Sequence, residues 1–262
     1  FRFRNYASLA PALEASLKVN ADHWNIDYVY LNNYRHYNDT TLFDVSLLKP
    51  VGNLLQNYTA MPWAHFKVTG ISAVKAIFGL NLSNLSSEKR KFTPTLTIAP
   101  VWTTGTGFEK TYTEDEIKPF ETLAYDAAFN YGFTSADADS ALFDVTLNLK
   151  QPVADWIPGN DKVTCQQKFT DYYAYDDGSS EAGYGLSGEG TRNAKIAVRF
   201  KNTVTADSLC AVDLYFNRSF ADANKKYFDI AIWADENNQP GELIYSQDGL
   251  VPAFNGINNF QR

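Results

Sequence analysis

The chain has 262 residues with a net charge of −7, and 45% of it is hydrophobic, enough for packed cores. The acidic balance argues against nucleic acid as a partner, because a nucleic-acid surface needs clustered Lys and Arg. No apolar run reaches the roughly 18 residues of a membrane-spanning helix, so no helical transmembrane segment is encoded.

Eighteen Phe, sixteen Tyr and five Trp stand against one Met. Aromatics suit the pleated, half-buried surface of a strand, so the composition points to an all-β fold. The chain opens on the alternating FRFRNY, with no secretory-signal pattern. It reads as beginning at a processing site or inside a larger protein. ASLAPALEASLKV (7–19) has helix-forming residues, but Pro11 interrupts it. In HWNIDYVYL (23–31), Trp24, Ile26, Tyr28 and Tyr30 share one face, and Asp27, Val29 and Leu31 the other. Both faces are largely apolar, which predicts a strand inside a sandwich. Shorter strands are predicted at HFKVTGI (65–71), AVKAIFGLNL (73–82) and TLTIAP (95–100). TEDEIKPFETLAYDAAF (113–129) opens with a capping-box pattern from Thr113 to Glu116, and Pro119 limits it to a short turn of helix.

The second half continues in period two. LFDVTLNL (142–149) sets Phe143, Val145, Leu147 and Leu149 against Asp144, Thr146 and Asn148. KIAVRF (195–200) aligns Ile196, Val198 and Phe200. AVDLYF (211–216) aligns Val212, Leu214 and Phe216, and FDIAIW (228–233) aligns Phe228, Ile230 and Ile232. DDGSSEAGYG and NNQPGE between them are turn chemistry. Boundaries suggest themselves at LKPVGN (48–53) and QPVADWIPGNDKV (151–163). They divide the chain into 1–48, too short to close a sandwich alone, a middle piece 49–160 of immunoglobulin-like size, and a β unit 161–262.

Several stretches resemble a known class of protein. They are FRFRNYASL with NADHWNIDYVYLN, then YTAMPWAHF (58–66), DYYAYDDGSSEAGYGL (171–186) and FDIAIWADENNQPGELIY (228–245). In wording and order they resemble very large multi-domain surface proteins of the Bacteroidota, exported by the type IX secretion system. Such proteins include adhesins and gliding-motility proteins built as strings of β-sandwich modules. The resemblance implies that 1–48 is the closing part of a lectin-like jelly roll whose earlier strands precede Phe1. It also implies that 161–262 is a second jelly-roll-like module, incomplete at its C-terminus. It further implies an extracellular or cell-surface location, no catalysis, and partners among neighbouring modules of the same parent chain, the secretion machinery or surface glycans. A carbohydrate-binding module of a secreted glycan-degrading protein is the alternative.

Each candidate site has a plainer reading beside it. Asp176, Asp177 and Glu181 are oxygen donors for Ca²⁺ on a sandwich loop; the same letters also spell an Asp-Gly turn. No other cofactor is implied. Trp63, Trp102 and Tyr172 are candidates to stack on a sugar ring, against a core reading for large aromatics. In this phylum O-glycans attach at Asp-Ser/Thr before a small or aliphatic residue. Thr40, Ser140 and Ser208 sit in that context. Gly183–Gly188 matches G-x-G-x-x-G, but an acidic turn precedes it and a strand follows, so it reads as a loop. His23, His36 and His65 lack metalloprotease spacing or a nucleophile-elbow serine, and Asp27 lacks an evident second carboxylate. Cys165 and Cys210 form either one disulfide or two separate thiols.

Overall fold

The computed structural model describes residues 33, 36, 42–49, 51–101, 106–135, 139–178, 189, 193–204, 207–216, 225–256 and 258–262. Strands dominate, and the described residues carry one short α-helix, so the fold is all-β. The chain divides into two compact units, residues 32–177 and residues 1–31 with 178–262.

Unit 32–177 holds two sheets. The first joins β1 (Val45–Leu47), β3 (Ile77–Asn84) and β7 (Thr122–Ala128), all antiparallel. The second runs β2 (Ala60–Pro62), β9 (Lys162–Thr170), β8 (Ala141–Lys150), β4 (Arg90–Pro100), β5 (Phe108–Thr111), with β6 (Asp115–Ile117) paired to the start of β4. Its ladders are antiparallel except β2 beside β9, which is parallel.

Alternation builds these strands. On β8, Phe143, Val145, Leu147 and Leu149 are buried, while Asn148 is exposed and Asp144 and Thr146 are half-buried. On β4, Phe92, Pro94, Leu96 and Ile98 point inward between partly exposed threonines. The outward threonines pair across strands, Thr95 with Thr111 at 3.2 Å and Thr146 with Thr164 at 3.0 Å. The two sheets share one core through ring contacts, including Phe92 with Tyr125 at 5.8 Å and Phe78 with Tyr112 at 6.2 Å. Burying each such ring stabilises the unit by roughly 1.5–3 kcal/mol.

Two local expectations are corrected. HFKVTGI is not a strand: α1 spans Trp63–Thr69 and a 3-10 turn follows at Gly70–Ala73. The period is helical here, since Trp63 and Phe66 lie one turn apart and both are buried, with their rings stacked at 5.5 Å. The stretch 113–129 forms no helix. It makes β6, a turn at Pro119–Phe120, and β7. Leu123, Tyr125 and Ala127 alternate with exposed Thr122, Ala124 and Asp126, so period two prevails over the capping-box letters. Residues 151–161, rich in Pro, Gly and Asn, lie inside the unit as an ordered loop bonded to β1.

In the other unit, β10 (Phe228–Glu236) and β11 (Gln239–Leu250) form an antiparallel hairpin. Its turn residues Asn237 and Asn238 both have positive φ, 55° and 66°. That is the left-handed pair a tight hairpin demands, and Asn tolerates it better than most residues. The side chain of Arg199 pairs with Asp235 at 2.6 Å, and Lys195 lies over Trp233 at 5.7 Å. KIAVRF and AVDLYF, expected as strands, form none: the described residues there join no ladder, apart from the bridge Leu214 to Gln261. No described residue after Phe169 is buried.

Candidate functional site

The polar chemistry of unit 32–177 concentrates where the chain enters it and where it leaves. At the entry, Asp44 is buried beside β1 and accepts two bonds from the Asn160 side-chain amide, at 3.1 and 3.0 Å. Asp155 Oδ2 accepts the backbone N–H of buried Val45 at 2.9 Å. Its Oδ1 accepts Ile157 N–H at 2.7 Å, an Asx turn that shapes the loop before Pro158. The Gln151 amide donates to Asp155 at 2.7 Å, to Asp161 at 2.9 Å and to the Val45 carbonyl at 3.2 Å. Trp156 N–H reaches the Phe43 carbonyl at 3.0 Å, the two rings meet edge to face at 5.0 Å, and the Arg90 guanidinium sits 4.7 Å over Phe43.

These carboxylates crowd one another. Burial pushes the Asp161 carboxyl up to about 6, opposed by the Gln151 hydrogen bond and reinforced by the Asp155 charge. The arrangement fixes a loop by charge-assisted bonds. Among the described residues, no three His, Cys, Asp or Glu side chains are grouped so as to hold a metal ion.

At the exit, residues 172–176 fold back along β2. Thr59 N–H donates to the Ala174 carbonyl at 2.8 Å and Ala174 N–H to the Ala60 carbonyl at 3.0 Å. The Thr59 hydroxyl bonds the carbonyls of Ala174 and Asp176. Tyr58 packs under both Tyr173 and Tyr175, at 4.7 and 5.1 Å between ring centres. The Tyr173 hydroxyl and Nδ1 of buried His65 are hydrogen-bonded at 2.7 Å. Buried Gln167 closes the arrangement by donating to the Thr59 carbonyl at 2.9 Å.

The sequence candidates disperse over this framework. Trp63 is only 2% exposed and packs on Phe66 and Phe169, so the sugar-stacking expectation for it is corrected: it is core. Tyr172 is 41% exposed and Tyr175, beside the same fold-back, 47%. Trp102, Thr40, Glu181, Asp27, His23 and Gly183–Gly188 lie outside the described residues. Asp176 and Asp177 are exposed at the end of the fold-back. Ser140 is half-buried just before β8, and Ser208 is exposed. Both cysteines are free thiols. Cys210 is exposed, and burial, aided by the Asp144 charge, pushes Cys165 up to about 11. Sequence reasoning missed Asp44, Asp155 and Gln151 altogether; the available signal was Asp155 two residues before Ile157-Pro158-Gly159, an Asx-turn pattern. No protein-family model matches the chain, and no curated protein is significantly similar to it.

Proposed function

We propose that this chain is a non-catalytic segment of a large exported cell-surface protein. It serves as an adhesin or structural scaffold and travels as type IX secretion cargo. Its modules are β-sandwiches, immunoglobulin-like in the middle and jelly-roll-like beyond. The observation that supports this reading best is the exposure of Ile196 and Val198, at 56% and 65%. Apolar side chains at such exposure mark a surface that another module covers. The neighbouring domains of a parent chain are the natural cover. The test is an intact mass with terminal peptide mapping on native material, combined with protease shaving of whole cells. Peptides extending past both ends and released by shaving support the reading. A polypeptide near 29.4 kDa retained inside the cell overturns it.

Exposed Tyr172 and Tyr175, the latter backed by Tyr58, favour carbohydrate binding as the second reading. An aromatic face held by a second ring is a ready platform for the apolar side of a pyranose. A glycan array probed with the chain and with Tyr172→Ala and Tyr175→Ala tests it. Binding lost in the variants supports it, and no binding by the parent chain removes it. Ser208, exposed and preceded by Asp207, is better placed as an O-glycan acceptor than half-buried Ser140.

A further inference from the structure

We infer that the peptide joining Asn255 to Gly256 is a site of spontaneous modification, where the Asn255 side chain loses its amide through a succinimide, and that Asn259 promotes the step. This is the one Asn-Gly pair in the chain. Asn255 is exposed, and its side-chain amide makes no hydrogen bond among the described residues. The Gly256 N–H, which supplies the nucleophile, meets no acceptor among them either. Gly256 has φ 112° and carries no Cβ to hinder the approach of its nitrogen to Asn255 Cγ. The Asn259 side-chain amide donates to the Asn255 backbone carbonyl at 3.0 Å. Its nitrogen lies 2.8 Å from where a Cβ would stand on Gly256, so it covers the peptide that reacts. A hydrogen bond to that carbonyl draws charge from the Gly256 nitrogen and favours loss of its proton. Asp248 and Gly249 offer the same five-membered ring, but Asp229 Oδ1 accepts the Gly249 N–H at 2.9 Å, so closure there must first break a bond.

The step balances without a cofactor. A solvent base takes the Gly256 amide proton, and the nitrogen attacks Asn255 Cγ as an intramolecular nucleophile. The Cγ–Nδ2 bond breaks and ammonia leaves. Water then opens the ring at either carbonyl, giving aspartate or isoaspartate at position 255. Water is consumed, ammonia is released, and nothing is oxidised or reduced. The product adds a negative charge, and the iso form a main-chain carbon, to the loop that Gln261 ties together. The Gln261 side chain accepts Ala253 N–H at 2.8 Å and donates to the Val251 carbonyl at 3.4 Å.

This inference stands apart from the proposed surface role. The full chain is held at pH 8, native in one series and in concentrated guanidinium chloride in another. Peptide mapping by mass spectrometry follows the exchange of amide for acid and the appearance of isoaspartate. The native chain is expected to convert Asn255 ahead of every other asparagine and to leave Asp248 unchanged. Asn259→Leu is expected to convert about three- to tenfold more slowly when native, the effect of one polarising hydrogen bond, and at the parent rate in denaturant. A difference confined to the native protein assigns it to the contact and not to the altered sequence. Asn255 still intact in the native chain when the denatured chain has converted it would overturn the site. Asn259→Leu converting as fast as the parent when native would overturn the role of Asn259. Should Asn259→Leu fail to fold, Asn259→Ala takes its place with the same expected slowing.

Discussion

Asp155 reaches back 110 residues to accept the backbone N–H of Val45 at 2.9 Å, and the same carboxylate holds Ile157 and Gln151. Removing it leaves a buried N–H without its partner. Asp155→Ala is expected to destabilise the unit by about 1–2 kcal/mol, while Asp155→Asn, which keeps an acceptor, loses about half as much. Urea unfolding followed by aromatic fluorescence measures both. Equal losses for the two variants would show that charge, not acceptor geometry, dominates.

Asp161 gives the unit an inverted acid response. A carboxyl pushed up to about 6 holds its proton more tightly folded than unfolded. Between the ordinary carboxylate range and about pH 6 the folded unit therefore binds the extra proton. The contribution of Asp161 to stability falls as pH rises through that window and stays low above it. Asp161→Asn is therefore expected to be more stable than the parent chain at pH 7, with the gap narrowing by pH 5. Urea midpoints of both proteins at the two pH values test this, and a gap independent of pH would refute it.

Buried Asn84 is a knot between two turns. Its amide donates to the carbonyls of Glu88 at 2.8 Å and Lys118 at 2.9 Å, and its oxygen accepts Ser86 N–H at 2.9 Å. Asn84→Asp would set a carboxylate oxygen against those carbonyls. It is expected to destabilise by about 3 kcal/mol or more. A thermal melt by circular dichroism, with Asn81→Asp as the half-buried comparison, reads the difference.

The aromatic candidates separate by burial. Trp63→Ala opens a cavity beside Phe66 and Phe169 and is expected to cost about 3–5 kcal/mol. Tyr172→Ala is expected to stay within about 0.5 kcal/mol. Denaturant titration of the two decides whether Tyr172 is surface, as the sugar reading requires.

The thiols should react unequally. Cys210 is exposed, while Cys165 is partly buried and its thiol is pushed up to about 11. A thiol-disulfide reagent at pH 8 is expected to label Cys210 within minutes and Cys165 only after denaturation. Rapid labelling of both would place Cys165 at the surface.

The strands with the cleanest alternation were the legible ones. Phe143-Val145-Leu147-Leu149 announced β8 because each inward residue is large and each outward one polar. The stretch 65–71 misled because Phe66 and Val68 stand in strand order, yet Val68 is exposed and the buried pair is Trp63 and Phe66. The stretch 113–129 misled through local capping letters that tertiary pairing with β3 and β4 overrides. The bonds of Asp44 and Val45 to the 151–161 loop were illegible for a different reason. Asp44, Asp155 and Asn160 are ordinary loop residues until two segments more than a hundred positions apart are brought together, and no local pattern encodes that meeting. The tyrosines of 172–175 could be noticed in the sequence, but their division into exposed Tyr172 and His65-bonded Tyr173 depends on the fold-back along β2.

The parallel pairing of β2 with β9 carries a temporal consequence. Met61 sits opposite Phe169, so β2 has no neighbour on that side until the last strand of the unit exists. A ribosome or a translocation channel delivers the chain from its N-terminus, and for most of that passage β2 waits unpaired. The second sheet thus cannot take up β2 until residue 170 or so has emerged. For a polypeptide proposed to cross membranes on its way to the surface, such a delay keeps the chain threadable while it is still in transit.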